Sequence, residues 1–129
     1  LLFMAAATFE IERIHSSFVG EPHTINSCGS PAQDTDDFTN TFEVYEFPPN
    51  DGQLPVDTYE SVGEVVPWDY TPRKAGMYWI RARTCQVGDG CSPWVATVEV
   101  NDEVPGCVTN PLRHVYYFEL PAPTEGGIE

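Results

Sequence analysis

Alternation of apolar and polar residues, with no helical period, is the dominant pattern along this chain. The clearest example is the segment 77–84, whose side chains divide into two alternating sets: Tyr78, Ile80 and Ala82, and Trp79, Arg81 and Arg83. Successive side chains of a β-strand point to opposite sides of the sheet. The segment is therefore predicted to be a strand whose first set faces the core.

Similar patterns elsewhere predict an all-β chain. The expected strands cover residues 8–14, 23–28, 41–47, 58–66, 77–85, 91–100 and 113–120. In the sixth strand the inward face is expected to carry Trp94, Ala96, Val98 and Val100, while residues 67–75 are expected to form a loop. Twelve prolines and ten glycines favour short strands and frequent turns. We expect an antiparallel β-sandwich.

Part of the chain, from Phe42 to Val100, resembles a fibronectin type III domain. The resemblance is carried by three motifs: Phe42-x-Val44-Tyr45, the run from Tyr70-Thr71-Pro72 to Arg81-Ala82-Arg83, and Gly90-Cys91-Ser92-Pro93-Trp94. It implies an immunoglobulin-like sandwich with a tyrosine corner. In that feature a phenol bonds to the loop backbone while its ring enters the core. Tyr78 would hold this position.

The ends of the chain are predicted to lie outside the sandwich. Residues 8–100 would form the sandwich, 1–7 an apolar N-terminal arm, and 101–129 a C-terminal extension with one further strand. The residues expected to contact neighbouring subunits are Leu1, Leu2, Phe3, Val115, Tyr117 and Phe118. Apolar arms can add a strand to a neighbouring sheet or fill a groove. Alternatively, the first residues are the remnant of a signal peptide.

Four cysteines occur, at positions 28, 85, 91 and 107. An even number in a small, turn-rich chain favours disulfides and an oxidising location. We expect Cys85 to pair with Cys91 across a hairpin, which leaves Cys28 for Cys107; the alternative is that Cys107 bonds a second subunit. Zinc is the competing interpretation, but no Cys-x-x-Cys occurs in the sequence.

The chain is strongly acidic, with 20 Asp and Glu against 6 Lys and Arg and a formal net charge of -14. Such a surface repels phosphate, so neither nucleic acid nor an anionic membrane is expected as a partner. Solubility explains the charge, and binding of a divalent cation or a basic partner is the alternative. The candidates for calcium are Asp34, Asp36, Asp37, Asp51 and Asp57. They lack the EF-hand glycine and distal glutamate, so a solvated loop is favoured.

A second candidate site lies on the outward face of the strand at 77–85. Trp79, Arg81, Arg83 and Trp94 are predicted to form a ladder in which guanidinium groups lie over indole rings. Trp94 would have to cross to that face through a bulge at Pro93; alternatively it caps the core. An exposed ladder of this kind is a candidate face for binding a sugar.

No Gly-x-Ser-x-Gly, His-Glu-x-x-His or phosphate-binding glycine loop occurs in the sequence. We therefore expect no enzyme and no cofactor. The favoured function is a structural or adhesive subunit of a multi-copy extracellular assembly, such as a virion surface protein or a filament, with copies of itself as partners. The alternative is a monomeric, secreted carbohydrate- or protein-binding module from a larger protein.

Overall fold

A computed structural model describes residues 10–29, 36–63, 67–100 and 107–122. They form nine strands and one 3-10 helix, Pro111–Arg113. The strands are β1 (Arg13–Phe18), β2 (His23–Ser27), β3 (Phe38–Glu46), β4 (Asp57–Val62), β5 (Trp68–Tyr70), β6 (Gly76–Gln86), β7 (Gly90–Cys91), β8 (Val95–Glu99) and β9 (His114–Glu119). The prediction of an all-β chain is confirmed. Within the described residues, no helix has the length and apolar character needed to cross a membrane.

The strands form a β-sandwich of two layers. One layer has the order β1-β9-β6-β3-β4, with the short β7 paired to the end of β6. The other layer has the order β8-β2-β5. Strand β8 connects the layers, because its first residues pair with β6 and its last residues pair with β2.

The core lies between the two layers. Tyr78, Ile80 and Ala82 of β6 are all buried in it, which confirms the predicted inward face of this strand. The other members of the core cluster are Ile25, Phe42, Val44, Tyr70, Tyr116 and Phe118. They come from β2 and β5 in one layer and from β3 and β9 in the other, so both layers contribute to one core.

Strand β1 differs from the predicted first strand in position and direction. It begins at Arg13, whereas the predicted strand began at residue 8, and it pairs in parallel with β9. The expectation of an antiparallel sandwich is therefore wrong at this edge. The hydrophobic pattern is inverted in β1: Ile14 and Phe18 point outward, whereas His15 is buried. Strand β5 was also missed, because its three residues lie in the segment that was expected to be a loop.

The C-terminal segment is part of the sandwich. Strand β9 lies between β1 and β6, and Val115 and Phe118 are fully buried. The prediction that these two residues contact neighbouring subunits is wrong, because a fully buried side chain has no surface to offer. Tyr117 points outward and is 39% exposed. Leu1, Leu2 and Phe3 lie outside the described residues.

Strand β8 presents the opposite face from the one predicted. Ala96 pairs with Arg81, so Ala96 shares the outer face of the sheet with that arginine. The inward position belongs to Thr97, which is fully buried. Its hydroxyl donates to the carbonyl of Ile80 at 3.1 Å and lies 2.7 Å from the Tyr116 hydroxyl. Because these bonds satisfy the hydroxyl, a polar residue can occupy a core position.

Two disulfides join the strands and loops, Cys85–Cys91 and Cys28–Cys107. They are the pairs that the spacing favoured. Cys85 and Cys91 are direct neighbours in the pairing of β6 with β7, so this bond closes the base of a hairpin. The other bond links the end of β2 to the segment that leads into the 3-10 helix and β9.

Tyr78 forms the contact expected of a tyrosine corner. Its hydroxyl donates to the carbonyl oxygen of Lys74 at 3.0 Å, and its ring packs on Phe118 with centroids 5.4 Å apart. The phenol therefore fixes the loop before β6 while the ring fills the core.

Replacement of Tyr78 by Phe should lower the free energy of unfolding by about 1 kcal/mol, because the Lys74 carbonyl loses its partner while the ring is kept. Urea unfolding measures the change. Tyr117→Phe, on the outer face, is the control and should shift stability by less than about 0.5 kcal/mol. Equal effects of the two variants would show that the Tyr78 hydroxyl has no special structural role.

Removal of the two disulfides should have unequal effects. The Cys28–Cys107 bond spans 79 residues and the Cys85–Cys91 bond spans 6. Loop-closure entropy then predicts losses of about 4.5 and about 2 kcal/mol for the paired Cys→Ser variants. Urea unfolding of the two double variants under non-reducing conditions tests this order. A larger loss for the hairpin variant would contradict it.

Candidate binding surface

An arginine–aromatic ladder covers the outer face of β6, and it consists of Tyr45, Trp79, Arg81, Arg83 and Trp94. The central carbon of the Arg81 guanidinium lies 3.9 Å from the centre of the Trp94 ring, and that of Arg83 lies 4.2 Å from it. Arg81 also lies 4.9 Å from the Tyr45 ring and 5.9 Å from the Trp79 ring. These distances are within the range of cation–π attraction.

Strand register places these side chains together. Arg81 and Arg83 are two residues apart on β6, and Tyr45 of β3 is the direct neighbour of Trp79. The Tyr45 and Trp79 rings are stacked with centroids 4.5 Å apart. Trp94 precedes Ala96 by two residues, and Ala96 already shares the face of Arg81. No crossing at Pro93 is therefore required, and Trp94 lies on the outer face instead of capping the core.

Arg81 is held by protein partners through its Nε and Nη2 atoms. Its Nε donates to the Glu43 carboxylate at 2.8 Å, and its Nη2 lies 2.7 Å from the same carboxylate oxygen and donates to the Tyr45 hydroxyl at 2.8 Å. The Tyr45 hydroxyl in turn donates to Glu43 at 2.7 Å. Burial and this bond to a carboxylate raise the pKa of Tyr45 above its usual value. The phenol therefore stays neutral and keeps its donor.

Arg83 has a different environment on the same indole ring. Its Nε is shielded from solvent and has no hydrogen-bond partner, and no ion pair joins it to any residue that the structure describes. The arginines 73, 81 and 113 each pair with a carboxylate. The ladder thus contains one guanidinium that is bonded to a carboxylate and a phenol, and one whose Nε has no acceptor in the described part of the chain.

The acidic residues that were candidates for calcium are not brought together. Asp36, Asp37 and Asp51 are exposed, and Asp34 lies outside the described residues. Asp57 accepts a hydrogen bond from the Tyr70 hydroxyl at 2.5 Å and forms an ion pair with Arg73. Within the described ranges, no group of three metal-ligating side chains occurs. Asp57 therefore ties β4 to the loop after β5.

A buried histidine cluster was missed by the sequence patterns. His15, His23 and His114 are 3%, 3% and 2% exposed. His15 and His23 contact Tyr116, and His114 contacts His15. His15 stacks on the Tyr116 ring at 4.9 Å, and His23 meets it edge-on at 5.6 Å. The Nε2 of His15 lies 3.4 Å from the Nδ1 of His114. His15 and His114 are 99 residues apart in the sequence, and the pairing of β1 with β9 brings them together.

Acid should destabilise the fold through His23. Burial lowers the pKa of His23 below its usual value, although Glu99, whose carboxylate lies 3.5 Å from Nδ1, opposes the shift. A proton therefore binds the unfolded chain more readily than the folded chain. The contribution of neutral His23 to the free energy of unfolding is fully present above about pH 6.5, and it decreases as the pH falls below that value.

Urea unfolding at pH 7.5 and pH 5.5 measures this effect. The wild-type protein should be less stable at the lower pH, and His23→Gln should show a smaller difference between the two conditions. An identical difference in both proteins would mean that His23 does not contribute.

Comparisons with known proteins identify no relatives: no family model, curated protein or solved structure matches the chain.

Proposed function

We propose that this protein is a non-enzymatic, structural or adhesive module of the fibronectin type III kind, used as a subunit of a multi-copy extracellular assembly. Two features support the assignment to this kind of sandwich. One is the hydrogen bond from the Tyr78 hydroxyl to the loop four residues upstream. The other is the two-layered core, to which β6 contributes alternate residues.

An oxidising location supports an extracellular role. The two disulfides suggest an environment outside the reducing cytosol, where such bonds persist. A virion surface or an extracellular filament would both provide this environment. The large negative charge would keep such a subunit soluble before assembly.

The observation that carries the proposal is an apolar surface at one edge of the sandwich. This apolar edge patch consists of Ile14, Phe18 and Tyr117, which are 52%, 39% and 39% exposed. Tyr117 of β9 is the direct neighbour of Ser16 of β1. Its side chain therefore lies beside β1 at a level between Ile14 and Phe18. Among the described residues β1 pairs only with β9, which leaves its other edge available to a further strand.

The proposed occupant is the apolar N-terminal segment of a neighbouring copy. Residues 1–7 are all apolar and precede β1 closely in the sequence. An extended apolar segment can bind an open strand edge through backbone hydrogen bonds and cover the adjacent apolar side chains. The edge patch of each copy would then receive the segment of the next copy. Repeated contacts of this head-to-tail kind produce a ring if the rotation closes and an open filament if it does not.

The double substitution Ile14→Lys and Phe18→Lys tests this contact. It should reduce assembly at least tenfold, because two ammonium groups would have to be desolvated where two apolar groups were covered. Both positions are outward-facing, so the sandwich should remain folded. Light scattering coupled to size-exclusion chromatography measures the mass, and circular dichroism checks the fold.

Matched controls are available on the opposite edge and at the hairpin tip. Val62 of β4 and Val87 are 63% and 78% exposed, so Val62→Lys and Val87→Lys add the same charges away from the patch. These variants should assemble like the wild-type protein. A wild-type protein that remains a 14.4 kDa monomer at high concentration would overturn the proposal.

A further inference from the structure

Two members of the ladder have a shielded N–H donor without a partner in the described part of the chain, Trp79 at Nε1 and Arg83 at Nε, and Arg83 is the charged one of the two. A guanidinium has five N–H donors in a fixed planar arrangement. At Arg83 the shielded Nε has no partner, although the chain contains 20 carboxylates. A buried donor without an acceptor is rare in folded proteins and calls for an explanation.

Strand register explains why no nearby carboxylate reaches Arg83. Thr41 is its neighbour on β3, and Glu60 on β4 is the neighbour of Thr41. Glu60 is therefore two strand spacings away, about 10 Å, and it accepts a hydrogen bond from the Thr41 hydroxyl at 3.4 Å. Arg81, by contrast, has Glu43 directly opposite.

The position of the Arg83 side chain is well defined despite the missing acceptor. Its guanidinium lies 4.2 Å from the centre of the Trp94 ring. The Cys85–Cys91 bond fixes the strand two residues further on, and the Ser92 hydroxyl accepts a hydrogen bond from the Thr84 amide at 3.1 Å. Because the group is ordered in advance, a ligand would lose less of its affinity to side-chain ordering.

We propose that Arg83, whose side chain is partly exposed although its Nε is shielded, binds a carboxylate group of an external ligand through its guanidinium. A planar carboxylate matches the guanidinium because it accepts two parallel hydrogen bonds, and Arg is preferred over Lys for such recognition. The net charge of -14 selects ligands with a single negative charge, since a polyanion would be repelled by the remainder of the surface. The site does not depend on the apolar edge patch, so it stands or falls separately from the proposed assembly.

Nuclear magnetic resonance of the ¹⁵N-labelled full chain tests the site directly. Sodium acetate, sodium glucuronate or N-acetylalanine is added to the protein while sodium chloride keeps the ionic strength constant. The Nε–Hε signal of each arginine is followed. The Arg83 signal should shift and saturate, while the Arg81 signal, whose Nε already donates to Glu43, should move little. Glucose is the uncharged control. A tighter response to glucuronate would indicate an acidic sugar as the source of the carboxylate, and a tighter response to N-acetylalanine would indicate a peptide terminus.

Variants separate a specific site from general charge. Arg83→Gln should weaken carboxylate binding at least tenfold, and Arg83→Lys should weaken it by a smaller factor because one ammonium cannot form the paired hydrogen bonds. Arg113→Gln, which removes an equal charge elsewhere, should leave the affinity unchanged. A wild-type Arg83 signal that does not shift, or that shifts without saturation and in parallel with the other arginines, would overturn the proposal even if a variant fails to fold.

Discussion

The pairing of β6 along both edges is the constraint on which the rest of the structure depends. One edge pairs with β3 over nine residues, while the other is shared in turn by β9, β8 and β7. A one-residue slip of a strand moves every side chain to the opposite face. The register of β6 therefore decides at once that Tyr78, Ile80 and Ala82 enter the core and that Trp79, Arg81 and Arg83 form the ladder.

Polar groups are hydrogen-bonded in different ways on the inner and the outer face of the layer that contains β6. On the inner face, the Thr97 and Tyr116 hydroxyls bond to each other, and Thr97 also donates to the Ile80 carbonyl. On the outer face, Glu43, Tyr45 and Arg81 form a closed set of hydrogen bonds above stacked rings. Both arrangements place polar atoms among aromatic rings, where satisfied networks are strengthened and unsatisfied donors are costly. Within the described residues, the Nε of Arg83 and the Nε1 of Trp79 are outer-face donors that have no acceptor.

The sequence patterns predicted the centre of the sandwich better than its edge. Tyr78, Ile80 and Ala82 could be assigned because a central strand is buried on one face and alternates clearly. Strand β1 could not, because an edge strand that places His15 inward and Ile14 outward reverses the usual relation between polarity and burial. Val115 and Phe118 were predicted to contact other subunits because their apolar strand follows a break that contains prolines and lies outside the segment that resembles a known sandwich. For Trp94 the pattern left two positions open, the outer ladder and the core, because apolar character alone does not show which face of β8 pairs with Arg81.

The edge formed by β1 and β9 combines a buried histidine contact with an exposed apolar surface. His15 lies beneath β1 against Tyr116, while Ile14 and Phe18 lie on top of the same strand. Strand β1 pairs with one neighbour and packs a histidine against an aromatic ring on its inner face. Detaching such a strand costs less free energy than detaching a strand whose inner face is apolar. If the edge is an assembly surface, the six residues of β1 carry both the inner histidine contact and the outer apolar contact with a neighbouring copy. Conditions that weaken the contact of His15 with His114 would then also alter the surface offered to a neighbouring copy.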